Sequence, residues 1–303
     1  MTDLAHLLPA AREAAGLPDP ARIAHVRAGQ WWIGYARAQA VLDRLEDLFR
    51  HGPGQIRPPN LLVLAPTNNG KSMIAEKFRR DHEAPAGDEA DAETIPVVAM
   101  QMPTEPTVAR FYAALLGHLG APARSGPGSR KHELEQLALK VLRGVKARVL
   151  VIDELHNMLA GSPTARREFL NLLRWLGNEL RIPVVGLGTR DAYMAIRTDP
   201  QLENRFEPFV LPVWRSGPEA ARLLASFAAV LPLRRPSELH RPELARAVLA
   251  RTGGTIGEIA ALMRVAAEAA IASGEEAITA RVLELAAYRG PGERRQAMER
   301  ELA

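Results

Sequence analysis

Lys71 and Ser72, directly after Gly70, and the adjacent carboxylates Asp153 and Glu154 are the residues in this chain whose types and spacing suit phosphate chemistry. A triphosphate needs inward-pointing backbone N–H donors, a cation beside its β- and γ-phosphates, and a hydroxyl for its magnesium ion. Lys71 is the cation and Ser72 the metal-side hydroxyl. Gly70 lets the backbone approach the phosphates closely. Asp153 would orient Mg²⁺, directly or through water, and Glu154 would polarise an attacking water as a general base.

The elements that must hold these groups are legible around them. Leu61-Leu62-Val63-Leu64 reads as a buried strand, Ala65-Pro66-Thr67-Asn68-Asn69-Gly70-Lys71-Ser72 as the phosphate loop, and Met73 onward as the helix that follows it. Glycine is expected where Ala65 stands, which a methyl group tolerates if φ stays negative. Val149-Leu150-Val151-Ile152 is a second fully apolar run. It delivers Asp153 and Glu154 to the carboxyl edge of a parallel sheet, where such sheets bind ligands. His156 and Asn157, just beyond, either sense nucleotide or cap the next helix. Ile95–Met100, Ile182–Thr189 and Phe209–Leu211 supply further strands. Thr189, at the end of one of them, either hydrogen-bonds the γ-phosphate or attacking water, or simply shapes a turn. Arg205, before the last strand, is exposed to reach a neighbouring subunit's triphosphate.

Upstream, Trp31-Trp32-Ile33-Gly34-Tyr35 offers a wall for adenine, to which Ile33 and Tyr35 would contribute; core packing is the alternative. The chain is expected to divide into a helical arm over 1–30, an α/β domain over 31–215, a helical lid over 216–289 and a charged tail over 290–303. The stretch 81–93 is acidic and rich in Ala and Gly, a surface excursion. The stretch 120–131 holds Arg124, Arg130 and Lys131 and no acid, which suits sequence-independent contact with DNA phosphates or a solvated loop.

Composition bounds the rest. At 303 residues there is room for one large domain and a smaller one. The absence of cysteine removes disulfides and thiolate metal sites, and it suits a cytoplasmic protein. No signal peptide or membrane span is expected, and a net charge of +4 permits a nucleic-acid partner.

Taken together, the alternating β and α pattern, the phosphate loop, the Asp-Glu strand end, the late arginine and the helical lid resemble an AAA+ ATPase. More narrowly, the chain is similar to the TniB family of transposition ATPases, related to TnsC. The residues that carry this are Trp32-Ile33-Gly34-Tyr35, Pro59-Asn60-Leu61-Leu62, Pro66 to Ser72, Ile152-Asp153-Glu154-Leu155-His156-Asn157, Gly188-Thr189-Arg190 and Asn204-Arg205-Phe206. The resemblance runs from about Leu7 to Ile278. It implies an α/β P-loop AAA+ parallel sheet in the order 5-1-4-3-2 with a small C-terminal all-α lid. It also implies ATP and Mg²⁺ as cofactors and homo-oligomers, ring or filament, on double-stranded DNA, with a DDE-type transposase and a TniQ-like target-selection protein as partners. Lys71 and Ser72 match the family's nucleotide loop, Asp153 and Glu154 its hydrolysis pair, Thr189 its sensor and Arg205 its finger. In the lid, Gly257-Glu258 stands where many AAA+ proteins have a sensor arginine, with Arg251 and Arg264 as substitutes. A nucleotide-gated scaffold that hydrolyses little, and a helicase-loader-like or secretion ATPase, are the alternative functions.

Overall fold

The computed structural model describes residues 4–29, 31–84, 94–121 and 131–302. Arg124 and Arg130, and residues 85–93 of the acidic stretch, lie outside the described residues. The chain forms two compact units. One is residues 37–211; the other joins the residues up to 36 with those from 212 onward.

The 37–211 unit is built on a five-stranded sheet: β1 (Asn60–Leu64), β2 (Val97–Gln101), β3 (Val149–Asp153), β4 (Val184–Gly188) and β5 (Phe206–Val210). The spatial order is β2-β3-β4-β1-β5 and every pairing is parallel, as the resemblance implied. Parallel strands flanked by helices on both faces have no solvent side, which is why β1, β3 and β4 are apolar runs rather than alternating ones. β5 differs. It is an edge strand, its residues after Phe206 are largely exposed, and Pro208 deprives its outer edge of a donor. It also starts earlier than the apolar run Phe209–Leu211 suggests, because Phe206 rather than Phe209 is the buried phenylalanine.

Two features set the spacing between strands and the helices above them. Asn60 is buried, and its Oδ1 accepts a hydrogen bond from the Val184 amide at 2.9 Å, locking β1 to β4 at their amino ends. At the other end, a Cβ on Gly188 would lie 2.6 Å from the Cβ of Ala192, so only glycine lets the helix Arg190–Ile196 turn back so tightly. Polar caps start the neighbouring helices. Thr107 Oγ1 accepts from the Arg110 amide at 3.2 Å, and Ser162 Oγ from the Ala165 amide at 3.2 Å.

The second unit is all helical: Pro9–Ala15, Asp19–Ala28, Pro218–Val230, Pro242–Thr252, Ile256–Ala272, Ala280–Leu285 and Pro291–Glu301. Where the sequence reading has a separate arm, the structure has the helix Asp19–Ala28 packed into this unit. Val26 and Ile33 sit in one core with Leu224, Phe227, Ile259 and Leu262. The decisive group is Arg22, whose side chain is wholly buried. Its guanidinium donates to Asp19 Oδ1 at 3.0 Å, to Glu276 Oε1 at 2.8 Å and to the Pro232 carbonyl at 2.8 Å. Residues 290–303, expected as a tail, contain the helix Pro291–Glu301, tied down where Arg294 donates to Glu258 at 2.7 Å. Among the described residues no helix is long and apolar enough to cross a membrane.

The Arg22 cluster carries a pH dependence. Burial alone would push the Glu276 carboxyl up, but the hydrogen bonds from Arg22 and the Arg234 amide, with the charges of both arginines, hold it below the ordinary carboxylate value. A lowered pKa in the folded state contributes stability that is full above the unfolded value, about 4.3, and is lost as pH falls through the folded value. Stability in urea is therefore expected to drop on acidification below about pH 4, and Glu276→Gln to flatten that drop. At neutral pH the same variant is expected to cost about 3 kcal/mol, because it leaves the buried Arg22 short of a charge. A variant as stable as the parent across this range would remove the cluster from the stability of the unit.

Candidate active site

β1 ends at Leu64, and the chain then turns through a loop pinned at both sides. The Ala65 amide donates to the Gly188 carbonyl at 3.0 Å, and the Leu211 amide donates to the Leu64 carbonyl at 2.8 Å. Inside the loop Asn69 is buried, and its Nδ2 donates to the Leu211 carbonyl at 2.9 Å. Asn68 (φ 61°) and Gly70 (φ 86°) take left-handed conformations that asparagine and glycine tolerate better than other residues. Ala65 does not adopt a positive φ, so its methyl group is accommodated. Pro66, Thr67 and Asn68 are exposed, and Met73 is exposed one position beyond Ser72.

Lys71 opens the helix Lys71–Asp81, and its side chain folds back over the loop, Nζ donating to the carbonyls of Ala65 and Pro66 at 3.0 Å each. Burial lowers its pKa, opposed by the charges of Glu154 and Asp153. The ammonium is therefore held against the loop, within the field of two carboxylates. Ser72 Oγ donates to Asp153 Oδ2 at 2.5 Å, and Asp153 Oδ1 accepts from the Glu154 amide at 2.7 Å. The sequence-distant pairs of the two motifs thus meet at one sheet edge.

Glu154 leaves β3 in a left-handed conformation, φ 52° and ψ 39°, and starts a short 3₁₀ helix, Leu155–Ala160. Its Oε2 lies 3.1 Å from His156 Nε2. Asn157 Nδ2 donates to the Met102 carbonyl at 3.1 Å, anchoring the same turn to the residue after β2. Thr189 begins the helix Arg190–Ile196 without a capping bond from its side chain. Its hydroxyl is buried with no hydrogen-bond partner among the described residues. Sequence reasoning left two alternatives for His156–Asn157 and did not anticipate the link from His156 to Glu154. The signal lay in the two-residue spacing after Glu154, which a tight turn converts into contact.

Arg205 is at the other end of the sheet. Its carbonyl accepts from the Asn60 amide at 2.9 Å, at the amino end of β1, whereas Lys71 follows the carboxyl end. The two are separated by a strand of about 3.3 Å per residue, beyond reach of one another. The Arg205 guanidinium donates to Asn178 Oδ1 at 2.7 Å. Its pKa is lowered by burial and by the charges of Arg57 and Arg174, with Asp199 opposing. Lys131 is exposed at the start of the helix Lys131–Gly144, its Nζ 3.9 Å from Glu168 Oε2.

Ile33 and Tyr35 belong to the helical unit. Ile33 is buried in its core, and Tyr35 packs edge-on to Trp214 with ring centroids 5.1 Å apart, burial pushing its hydroxyl up to about 12. In the same unit Arg251 is engaged by the carbonyls of Leu283 and Tyr288, while Arg264 Nε is buried without a partner among the described residues.

The donor set fits a magnesium-bound nucleoside triphosphate. Among the described residues no three His, Asp or Glu side chains gather to hold a metal by themselves. Ser72 and Asp153 instead offer one hydroxyl and one carboxylate, the share a Mg²⁺ ion takes from protein when phosphates and waters supply the rest. The Thr189 hydroxyl, without a hydrogen-bond partner among the described residues, and the loop turn with Lys71 across it are polar groups that would suit phosphate oxygens.

A family model described as the bacterial TniB protein matches residues 22–216. No curated protein matches the chain. Several solved structures do. The ORC2 protein of Aeropyrum pernix in its ADP form superposes with a TM-score of 0.59 at 17% identity, over 84% of this chain and 68% of that one. The ORC1 protein of the same organism in complex with DNA gives 0.52 at 18%, over 82% and 63%. Cdc6p of Pyrobaculum aerophilum gives 0.53 at 17%, over 82% and 66%. Identities this low speak to the fold alone, which this chain shares with them.

Proposed function

The chain belongs to the bacterial TniB family, and from that premise we propose that it is an ATP-dependent regulator of DNA transposition. In this reading it is an AAA+ ATPase that assembles into homo-oligomers, ring or filament, on double-stranded DNA without sequence preference. There it recruits and activates a DDE-type transposase in concert with a TniQ-like target-selection protein. The observation that carries the ATPase is the meeting of Ser72 with Asp153 at 2.5 Å beside Lys71 and Glu154, inside the residues that match the family.

The residues divide the work. The amides of Thr67 to Ser72 and the Lys71 ammonium bind the β- and γ-phosphates, Lys71 exchanging its loop carbonyls for phosphate oxygens. Ser72 and Asp153 would hold a Mg²⁺ ion, which when bound would supply charge neutralisation to the phosphates. Glu154 takes a proton from the attacking water as the bond from the γ-phosphorus to the leaving ADP oxygen breaks. Thr189, whose hydroxyl has no other partner among the described residues, orients that water or the γ-phosphate. Arg205, a strand's length from its own chain's loop, acts on the site of a neighbouring copy.

DNA contact rests on Arg124, Arg130 and Lys131, of which Lys131 is an exposed cation. The ORC1 neighbour was solved in complex with DNA, which makes DNA binding compatible with the fold. The test is binding to non-specific duplex DNA as a function of salt, with ATP, ADP or no nucleotide, while particle size is followed. ATP alone is expected to give tight, salt-sensitive binding and large assemblies. Replacing the three cations together is expected to weaken binding on all sequences alike and to shallow the log–log salt slope by roughly one unit per contact. An unchanged slope would move the DNA site elsewhere, and a chain that stays monomeric and indifferent to DNA in every state would point to an ATPase of another pathway. Retention of a DDE transposase on the ATP-bound assembly tests the partnership.

A further inference from the structure

Beyond the phosphate-binding set, one side chain touches the proposed base itself. We propose that His156 is the positioning residue for Glu154, its imidazole N–H holding the carboxylate in the orientation that accepts a proton from water. The inference rests on the reading of Glu154 as the base.

The contact is between His156 Nε2 and Glu154 Oε2, 3.1 Å apart. A carboxylate can only accept, so a proton on Nε2 is what would join the two. The contact lies at Oε2 and leaves Oε1 for water. The turn that presents the ring is rigid. Leu155 fills a notch that Gly186 opens in β4, where a Cβ would lie 2.5 Å from Leu155 Cδ2. The Asn157 amide donates to the Glu154 carbonyl at 2.9 Å, and the Asn157 side chain is tied to Met102.

The rest of the imidazole's environment argues that the contact is not there for folding. Nδ1 is buried and has no hydrogen-bond partner among the described residues, a cost that an apolar side chain would avoid. Glu154 itself sits at φ 52°, where a residue with a long side chain is disfavoured. An unpaired ring nitrogen and a left-handed glutamate side by side are the kind of local cost that persists where geometry serves a reaction. A freely rotating carboxylate, 33% exposed, would otherwise sample several rotamers.

The experiment compares ATP turnover and nucleotide binding in the full-length chain, with DNA present, for His156→Ala, His156→Asn and His156→Gln. Gln places an amide N–H near the position of Nε2, whereas Asn reaches only that of Nδ1. His156→Ala and His156→Asn are expected to lose about tenfold or more in kcat with KM and ATP affinity unchanged, and His156→Gln to recover most of it. In a Glu154→Gln background, His156→Ala is expected to have no further effect on turnover, since the group it positions is gone. If His156→Ala does not fold, the contrast between Asn and Gln decides. An unchanged or raised kcat, a loss confined to ATP affinity, or equal behaviour of Asn and Gln would overturn the proposal. If Glu154→Gln itself turns over normally, what fails is the assignment of the base; if that variant is inactive while His156→Ala is not, what fails is the role of His156.

Discussion

Glu154→Gln is expected to bind ATP as the parent does and to turn it over about 10²- to 10⁴-fold more slowly, the usual contribution of a positioned general base. Binding is expected to survive because the proposed phosphate and magnesium groups are Lys71, Ser72 and the loop amides, and none of the hydrogen bonds of Lys71 and Ser72 uses the Glu154 carboxylate. The Glu154 amide, which holds Asp153 Oδ1, is backbone and is untouched. Gln also keeps the length to meet His156, so the turn should stay folded. Single-turnover hydrolysis alongside equilibrium binding of a fluorescent ATP analogue separates the two properties. Turnover at the parental rate would remove Glu154 as the base. Negligible turnover by the parent itself, with ATP still controlling assembly on DNA, would favour a nucleotide-gated scaffold.

Arg205→Ala is expected to abolish the turnover of the assembled protein, by about 10³- to 10⁵-fold if it is a finger of the usual strength, while leaving ATP binding intact. The geometry makes a sharper expectation available. Arg205 and Lys71 flank opposite ends of β1, so in the proposed assembly a chain's finger would serve another chain's site. A Lys71→Ala chain keeps a working finger, and an Arg205→Ala chain keeps a working loop. Mixing the two inactive variants should therefore restore part of the activity, whereas a mixture as dead as either alone would exclude action in trans. The variant is also expected to melt no earlier than the parent. The charges of Arg57 and Arg174 oppose that of Arg205, so removing it relieves repulsion even as the bond to Asn178 is lost.

Much of this was written in short-range pattern. The run Leu61–Leu64 and the run Val149–Ile152 announce buried parallel strands because a strand covered on both faces has no polar side to show. Gly-Lys-Ser and Asp-Glu announce phosphate chemistry because few other uses need those groups immediately at a strand end. The sheet order follows from the family resemblance, not from periodicity, which carries no information about which strands neighbour one another.

What the chain alone determined, then, was the identity of the strands, the loop and the helix after it, since these depend on neighbours one to four positions away. Tertiary structure decided the rest, since those groups meet through space. It brought Ser72 onto Asp153, turned His156 back onto Glu154 through a left-handed backbone, and put Arg205 at the far end of the sheet from Lys71. It also drew the N-terminal helix into the C-terminal unit. Nothing near Arg22 in sequence supplies Glu276 or the Pro232 carbonyl, and a buried guanidinium must find such partners wherever the fold provides them.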